Sequence, residues 1–152
     1  MKKRRKKDHQ FPQLIHRVNI RVRFSEVDAM RIAWHGNYAK YFEDGREAFG
    51  EAFGIGYYDY YRENIATPIV NLNIDYKKHL NFGDEIIVET EYIYSPAAKV
   101  IFDYRIYSAK TNELMAEGST TQVFIQPESG ELLLFEPEFY TRWKIEHGFI
   151  KK

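Results

Sequence analysis

The chain contains no cysteine. Disulfides, thiolate metal ligands and a cysteine nucleophile are therefore excluded, and the composition suits a reducing compartment such as the cytoplasm. No apolar run approaches the roughly 18 residues of a membrane-spanning helix. The start, MKKRRKKDHQ, is basic but has no apolar stretch behind it, so it does not read as a secretory signal. No histidines or carboxylates show a metal-ligand spacing, so neither a metal nor a cofactor is expected. Net charge is absent too, because 22 Lys and Arg balance 22 Asp and Glu.

That balance conceals an uneven distribution. Six basic residues fill positions 2–7, and without residues 1–8 the chain carries 16 basic against 21 acidic residues, a net of −5. A mildly acidic body offers no footprint for a nucleic-acid duplex. Residues 1–12 read as a solvated, disordered basic tail, with a nucleic-acid patch as the other reading. The remainder, 13–152, has the length of one domain. Its 44% hydrophobic and 29% charged residues describe an ordinary globular protein. Twelve Tyr and eleven Phe suit the faces of a sheet and the lining of an apolar pocket.

Periodicity places the elements. HRVNIRVRF alternates as a strand, with Val18, Ile20, Val22 and Phe24 on one face. Residues 25–36 show no period and read as a loop. From Asn37 the period becomes helical: Tyr38, Tyr41, Phe42, Gly45, Ala48, Phe49, Ala52 and Phe53 fall on an arc about 140° wide. Asn37 suits the N-cap and Gly54 the stop, giving a helix about 25 Å long. The near-repeat EAFGEAFG lacks the Lys-Ser/Thr ending of a phosphate loop and sits at the helix end that repels phosphate. YYDYY reads as a short turn or helix. Four strands follow, in TPIVNLNIDYKKHL, DEIIVETEYIY, KVIFDYRIYS and ELMAEGSTTQVFIQ, separated by turn signals at Phe82–Asp84, Ser95–Ala97 and Lys110–Asn112. Three hairpin-like connections argue for an antiparallel sheet. EPEFYTRWKIEHG predicts a final short helix. An α+β architecture results, one long helix on one face of the sheet, whose free edges favour pairing with a second copy.

Asp28 stands just before the long helix, and His35 follows seven residues later. A helix N-terminus carries unpaired N–H groups and partial positive charge, which suit an oxyanion. A carboxylate nearby can attack a carbonyl or activate water to do so. With no serine–histidine–acid constellation the leaving group departs unaided, which a thiol of pKa about 8.5 does far more readily than an alcohol or amine. That chemistry suits a thioester. A turn or cap role for Asp28, and a packed structural role for His35, are the alternatives on spacing alone.

The stretch VRFSEVDAMRIAWHGNYAKYFEDGREAF resembles the acyl-CoA thioesterases of the hotdog fold, in particular the 4-hydroxybenzoyl-CoA thioesterase-like family. Asp28, His35, Gly36, Asn37 and Tyr38 match that family's pattern in register, and NIDYKKHLNFGDEIIVET is similar to its second strand and following turn. The resemblance covers about residues 16–126 and implies a central helix on a five- to six-stranded antiparallel sheet, as a homodimer or homotetramer. It implies hydrolysis of an acyl-CoA thioester, with Asp28 as nucleophile or general base. The backbone N–H of His35 or Gly36 would polarise the carbonyl, and the His35 side chain would orient substrate or assist proton movement. Asn37 and Tyr38 would lie against the substrate. Coenzyme A enters only as part of that substrate. Its phosphates need cations, for which Lys77, Lys78 and Lys99 are candidates, and Arg31 could meet a phosphate or a polar acyl group. The family often has Gly or Pro after the aspartate, where this chain has Ala29-Met30-Arg31. Glu43, a carboxylate on the helix, lies on the polar arc, and His79 and His147 read as surface residues. An acyl carrier protein as acyl donor, or a non-catalytic acyl-CoA-binding module, are the competing functions.

Overall fold

The computed structural model describes residues 11–151. The basic run at 2–7 lies outside them. Packing already begins at Phe11, whose ring centroid is 4.6 Å from that of Tyr94, so the packed body reaches further toward the N-terminus than residue 13.

Among the described residues the strands number five: β1 (Ile15–Arg21), β2 (Ile69–Tyr76), β3 (Glu85–Ile93), β4 (Lys99–Ser108) and β5 (Leu114–Val123). They form one antiparallel sheet in the order β1-β3-β4-β5-β2. Three helices accompany it, α1 (Asn37–Phe53), α2 (Tyr57–Arg62) and α3 (Glu138–Glu146). This is the hotdog fold, a long helix held in the curve of the sheet.

Two expectations need correction. The turn at Phe82–Asp84 does not close a hairpin, because β2 and β3 lie apart and residues 77–84 cross from one side of the sheet to the other. A turn signal marks where a chain reverses, not which neighbour it returns to. β1 also ends at Arg21, and Phe24 sits in a one-turn 3-10 helix, Phe24–Glu26, with its side chain 77% exposed. Alternation alone could not show that Val22 is the last residue of that face to be covered.

The register lines up one apolar face. Val18 pairs with Val88, Val88 with Ile106, and Ile106 with Ala116. Against this face α1 lays its predicted arc. Phe42 stacks on Tyr104 at 4.4 Å, and Phe49 meets Phe102 edge-on at 5.1 Å. Gly45 sets the depth of contact: a Cβ there would lie 2.6 Å from both Thr90 Oγ1 and Val88 Cγ1. A helix-interior glycine costs about 0.5–1 kcal/mol relative to alanine, and here the closer approach of helix to sheet offsets it. Beyond Gly54, whose φ of 72° ends α1, helix α3 docks back. Trp143 Nε1 donates to Phe53 O (2.7 Å), satisfying a carbonyl at the α1 terminus. Lys144, 1% exposed, is held by Glu136 (2.6 Å) and the Ser95 carbonyl (2.8 Å).

Helix α1 lies over β1, β3 and β4. On β2, at the far edge, Val70, Leu72 and Tyr76 remain 59%, 44% and 49% exposed.

The opposite face of the sheet carries charge. Glu89, 4% exposed, accepts from Arg105 Nε (2.5 Å) and Arg17 Nε (2.7 Å). Burial opposes its ionisation, but the hydrogen bonds and charges of Arg105 and Arg17 outweigh burial and hold its carboxyl below the usual range. A depressed carboxylate adds stability above its unfolded pKa, about 4.3, and loses it as pH falls through the folded value. Glu89→Gln is expected to lower unfolding free energy by about 1–3 kcal/mol at pH 7. The deficit should shrink as pH falls from the unfolded pKa through the folded one. Urea unfolding of both proteins at pH 7 and pH 3 checks this, and a deficit independent of pH would refute the assignment.

Candidate functional site

The loop ahead of α1 is built from backbone pairings that leave two groups over. Val27 and Ala33 bridge, and the chain between them folds into a turn. Asp28 N–H donates to Ile32 O and Arg31 N–H to Asp28 O, both at 2.9 Å. Arg31 takes φ 65°, the left-handed region, so this turn forms without the Gly common in the family, and its side chain is exposed. Asp28 Oδ1 accepts from Met30 N–H at 2.8 Å. The turn role for Asp28 is thus real. Its second oxygen, Oδ2, accepts no hydrogen bond among the described residues.

Two further contacts fix this turn in space. Ala33 N–H donates to Leu80 O at 2.7 Å, and Ile32 bridges Asn81, so the turn rests on the β2–β3 crossover. The Glu26 carbonyl accepts from Trp34 N–H (2.9 Å) and from Asn37 Nδ2 (2.7 Å). Asn37 is therefore not the N-cap. It is the first helical residue, Gly36 precedes it as the cap, and the Asn37 amide ties the helix start to the loop. Asn37 N–H donates to Trp34 O (2.9 Å). The amides of His35 and Gly36 donate to no group among the described residues.

These pieces border a pocket of about 270 Å³, lined by Asp28, His35 and Tyr38 from the loop and helix start. Tyr76, Lys77, Lys78 and His79 line it from the end of β2. Tyr76 OH donates to His35 O at 2.8 Å, and its ring meets Tyr38 edge-on at 4.8 Å. Burial raises the pKa of both phenols, so both remain protonated donors through neutral pH. Lys78 pairs with Glu113, whose carboxyl that bond holds below its usual range, and Lys77 stands 3.8 Å from Glu117. Both lysines are exposed, and so is His79.

The predicted residues divide accordingly. Asp28, His35, Tyr38, Lys77 and Lys78 share the pocket, whereas Gly36, next to His35, is not among its lining residues. Asn37 is buried and acts on the loop instead. Arg31 and Lys99 are not among the lining residues. Lys99 begins β4 opposite Val123. Tyr76 escaped sequence reasoning, because alternation marks a face and not a hydrogen bond made 41 residues away. A second cavity, about 750 Å³, lies past the middle of α1, between α2 and the end of β5. Glu43 lines that cavity and not the smaller pocket.

Chemically, the smaller pocket offers a carboxylate with a free oxygen, a lining residue at the helix start, His35, whose amide is unpaired among the described residues, and cations at the rim. A carbonyl between the first two would have an attacking group on one side and oxyanion donors on the other.

Comparison with known proteins gives a consistent picture. A family model described as the thioesterase-like superfamily matches residues 22–143. YneP of Bacillus subtilis (strain 168), provisionally named an acyl-CoA thioesterase, is 29% identical over 133 residues, covering 86% of this chain and 96% of that protein. The chloroplastic acyl-acyl carrier protein thioesterase ATL3 of Arabidopsis thaliana is 28% identical over 110 residues, 72% of this chain and 58% of its own length. Among solved structures, a DHNA-CoA thioesterase from Staphylococcus aureus superposes with a TM-score of 0.79 at 26% identity, covering 88% of this chain and 91% of that one.

The Tyr76–His35 bond predicts a local effect. Tyr76→Phe should cost only about 0.5–1.5 kcal/mol globally. Amide exchange at Trp34 and Asn37, which flank the tethered residue, should accelerate at least several-fold. Hydrogen-exchange NMR measures it, and unchanged exchange there would show that the bond does not hold the helix start.

Proposed function

The chain belongs to the thioesterase-like superfamily, and from that premise we propose that it hydrolyses acyl-CoA thioesters to a free acid and coenzyme A. The observation that carries this reading is the free oxygen of Asp28 in a pocket that His35 also lines, at a helix start where the amides of His35 and Gly36 are unpaired among the described residues. The Asp28 carboxylate attacks the thioester carbonyl, or takes a proton from the water that does. Negative charge then collects on the carbonyl oxygen, which the two amides receive. Collapse breaks the carbon–sulfur bond, and the thiolate leaves without an acid because its pKa is about 8.5. Water supplies the second oxygen of the product acid in either route. The His35 side chain orients the acyl group, and Tyr38 forms a wall of the pocket.

Lys77 and Lys78 stand at the rim, where the phosphates of coenzyme A need cations. Their present carboxylate partners are exposed, so a phosphate can replace them. Arg31, on the same turn as Asp28, is a further cation for that side of the site. Lys99 has no part in this arrangement. No helix among the described residues is long and apolar enough to cross a membrane, and we place the protein in the cytoplasm, in keeping with its lack of cysteine.

The reading of the assembly starts from β2. Among the described residues its outer edge has no strand partner, and Val70 and Leu72 on it are exposed. We propose a homodimer in which the two β2 edges pair antiparallel about a twofold axis. Such pairing sets the Tyr76 end of one strand beside the Ile69 end of its partner. A second donor, acyl carrier protein, is favoured by the likeness to ATL3, but the acidic body repels that acidic partner.

Asp28→Asn keeps an oxygen for Met30 N–H while removing the charge. Its kcat in a thiol-release assay over an acyl-CoA panel should fall at least ~100-fold with the fold intact. Wild-type turnover in that variant would remove Asp28 from the mechanism. Leu72→Glu should convert the dimer to monomer by light scattering, whereas an unchanged mass would place the interface elsewhere.

A further inference from the structure

Trp34 is a large aromatic that the fold does not use as core. Its side chain is 49% exposed and is not one of the apolar side chains packed on the central cluster. Its indole N–H donates to no group among the described residues. Ala33 and His35, on either side of it, line the Asp28 pocket, whereas Trp34 does not. Yet its backbone is pinned twice: its N–H donates to Glu26 O and its carbonyl accepts from Asn37 N–H, each at 2.9 Å. A half-exposed indole on so fixed a backbone has a place set by the loop and not by burial.

That place is a seat on Gly36. The benzo edge of the indole fills the space that a Cβ on Gly36 would occupy, with Cε3 only 2.7 Å from that position and Cζ3 and Cη2 closer still. Gly36 itself takes φ −68° and ψ −18°, right-handed values that any residue adopts. Glycine is therefore required here by the indole and not by the backbone. The same indole leans on the His35 ring, with 5.0 Å between centroids and 48° between planes. One side chain thus touches both residues whose amides are unpaired at the start of α1.

An unpaired amide in contact with water is hydrated, and that water must leave before an oxyanion can be bound. Donors aimed at developing charge are worth most where water is excluded and where they need no reorganisation. The three atoms nearest to the Cβ position of Gly36 all belong to the indole, so nothing else covers that flank as closely.

We propose that Trp34 is a positioning residue for thioester hydrolysis: its indole, seated on Gly36 and against His35, keeps solvent off the helix-start amides and holds them ready for the carbonyl oxygen. It acts through those two residues and not by touching the acyl group. The inference rests on the thioesterase reading of the Asp28 pocket and adds no bond-making step to that reaction. Gly36 is the second half of the device. Gly36→Ala displaces the indole without disturbing α1, because the colliding atoms are the far end of a half-exposed side chain.

The test is a cycle of four proteins: wild type, Trp34→Ala, Gly36→Ala and the double variant. Thiol release is measured on whichever member of an acyl-CoA panel the wild type turns over fastest, octanoyl-CoA and benzoyl-CoA among them. Each single change should lower kcat ~10-fold or more and move KM less than ~3-fold, as for an interaction made only in the transition state. In the double variant Gly36→Ala should add less than ~2-fold, because no indole is left to displace. Trp34→Phe, which keeps a flat ring, should recover about a third or more of the wild-type kcat. A kcat unchanged by Trp34→Ala, a loss confined to KM, or two losses that multiply in the double variant would overturn the proposal. Water-exchange NMR supplies a readout that needs no turnover: the Gly36 amide should exchange at least ~5-fold faster in Trp34→Ala, with Val88 in the sheet unchanged. A wild type inactive on the whole panel refutes hydrolysis and not the seat of the indole, which exchange then decides. Faster exchange at Gly36 sustains the shielding, and equal rates overturn it.

Discussion

The hydrogen bond from Ala33 N–H to Leu80 O joins two segments that lie far apart in the chain. One is the turn that carries Asp28, and the other is the crossover that takes the chain from β2 to β3. Leu80 is fully buried, so the bond is shielded from water and forms part of the core instead of a surface tether. From it follow the bridge of Ile32 to Asn81 and the placement of Lys77, Lys78 and His79 opposite His35. The helix start is then tied from two sides, by Asn37 to the Glu26 carbonyl and by Tyr76 to the His35 carbonyl. A site built on loops acquires the rigidity of the sheet because each loop is bonded to an element of it.

The second constraint is the reach of α1. Gly45 lets the helix settle deeply on β3, and Gly118 makes room on β5, where a Cβ would lie 2.8 Å from the Phe42 ring. Helix α1 at that depth leaves most of β2 exposed, with Val70 and Leu72 open to solvent. The same geometry that buries Phe42 and Phe49 therefore produces an exposed edge and an open cavity beside it. Fold and assembly are coupled here: a longer or more central helix would cover the sheet and remove the surface on which a second copy can dock.

Much of this was legible in the chain, and the rest was not for identifiable reasons. The α1 boundaries, Asn37 to Phe53, follow from the period of Tyr38, Tyr41, Phe42, Gly45 and Phe49 and from Gly54. The α3 segment and the α2 tyrosines were visible as local patterns. Strand order was not, because Phe82-Gly83-Asp84 looks like any hairpin turn, and only tertiary pairing shows that β3 joins β1 and β4. Asp28, His35 and Tyr38 are grouped by the resemblance of their stretch to the family's motif, which spacing alone does not supply. Tyr76 could not join them, since its bond depends on where β2 ends relative to a loop far away in sequence. Asn37 misled in a specific way: asparagine before a helix usually caps it, but here its amide has a better acceptor in the doubly bonded Glu26 carbonyl. Arg46 resembled any charge on a polar arc until the register put Tyr104 and Thr120 beneath it.

The ion pairs divide along the same lines as the two faces. Glu89 lies nearly inaccessible between Arg17 and Arg105, with each of its oxygens committed to a guanidinium. Removing any partner leaves buried charge behind, so that group is fixed. At the pocket rim, Lys78 with Glu113 and Lys77 with Glu117 are exposed on both sides. Solvent and salt compete for such pairs, which makes them easy to exchange. A lysine locked as Lys144 is against Glu136 would by contrast cost much to redirect. Glu113 and Glu117 hold the lysines near the pocket mouth through contacts weak enough to be exchanged.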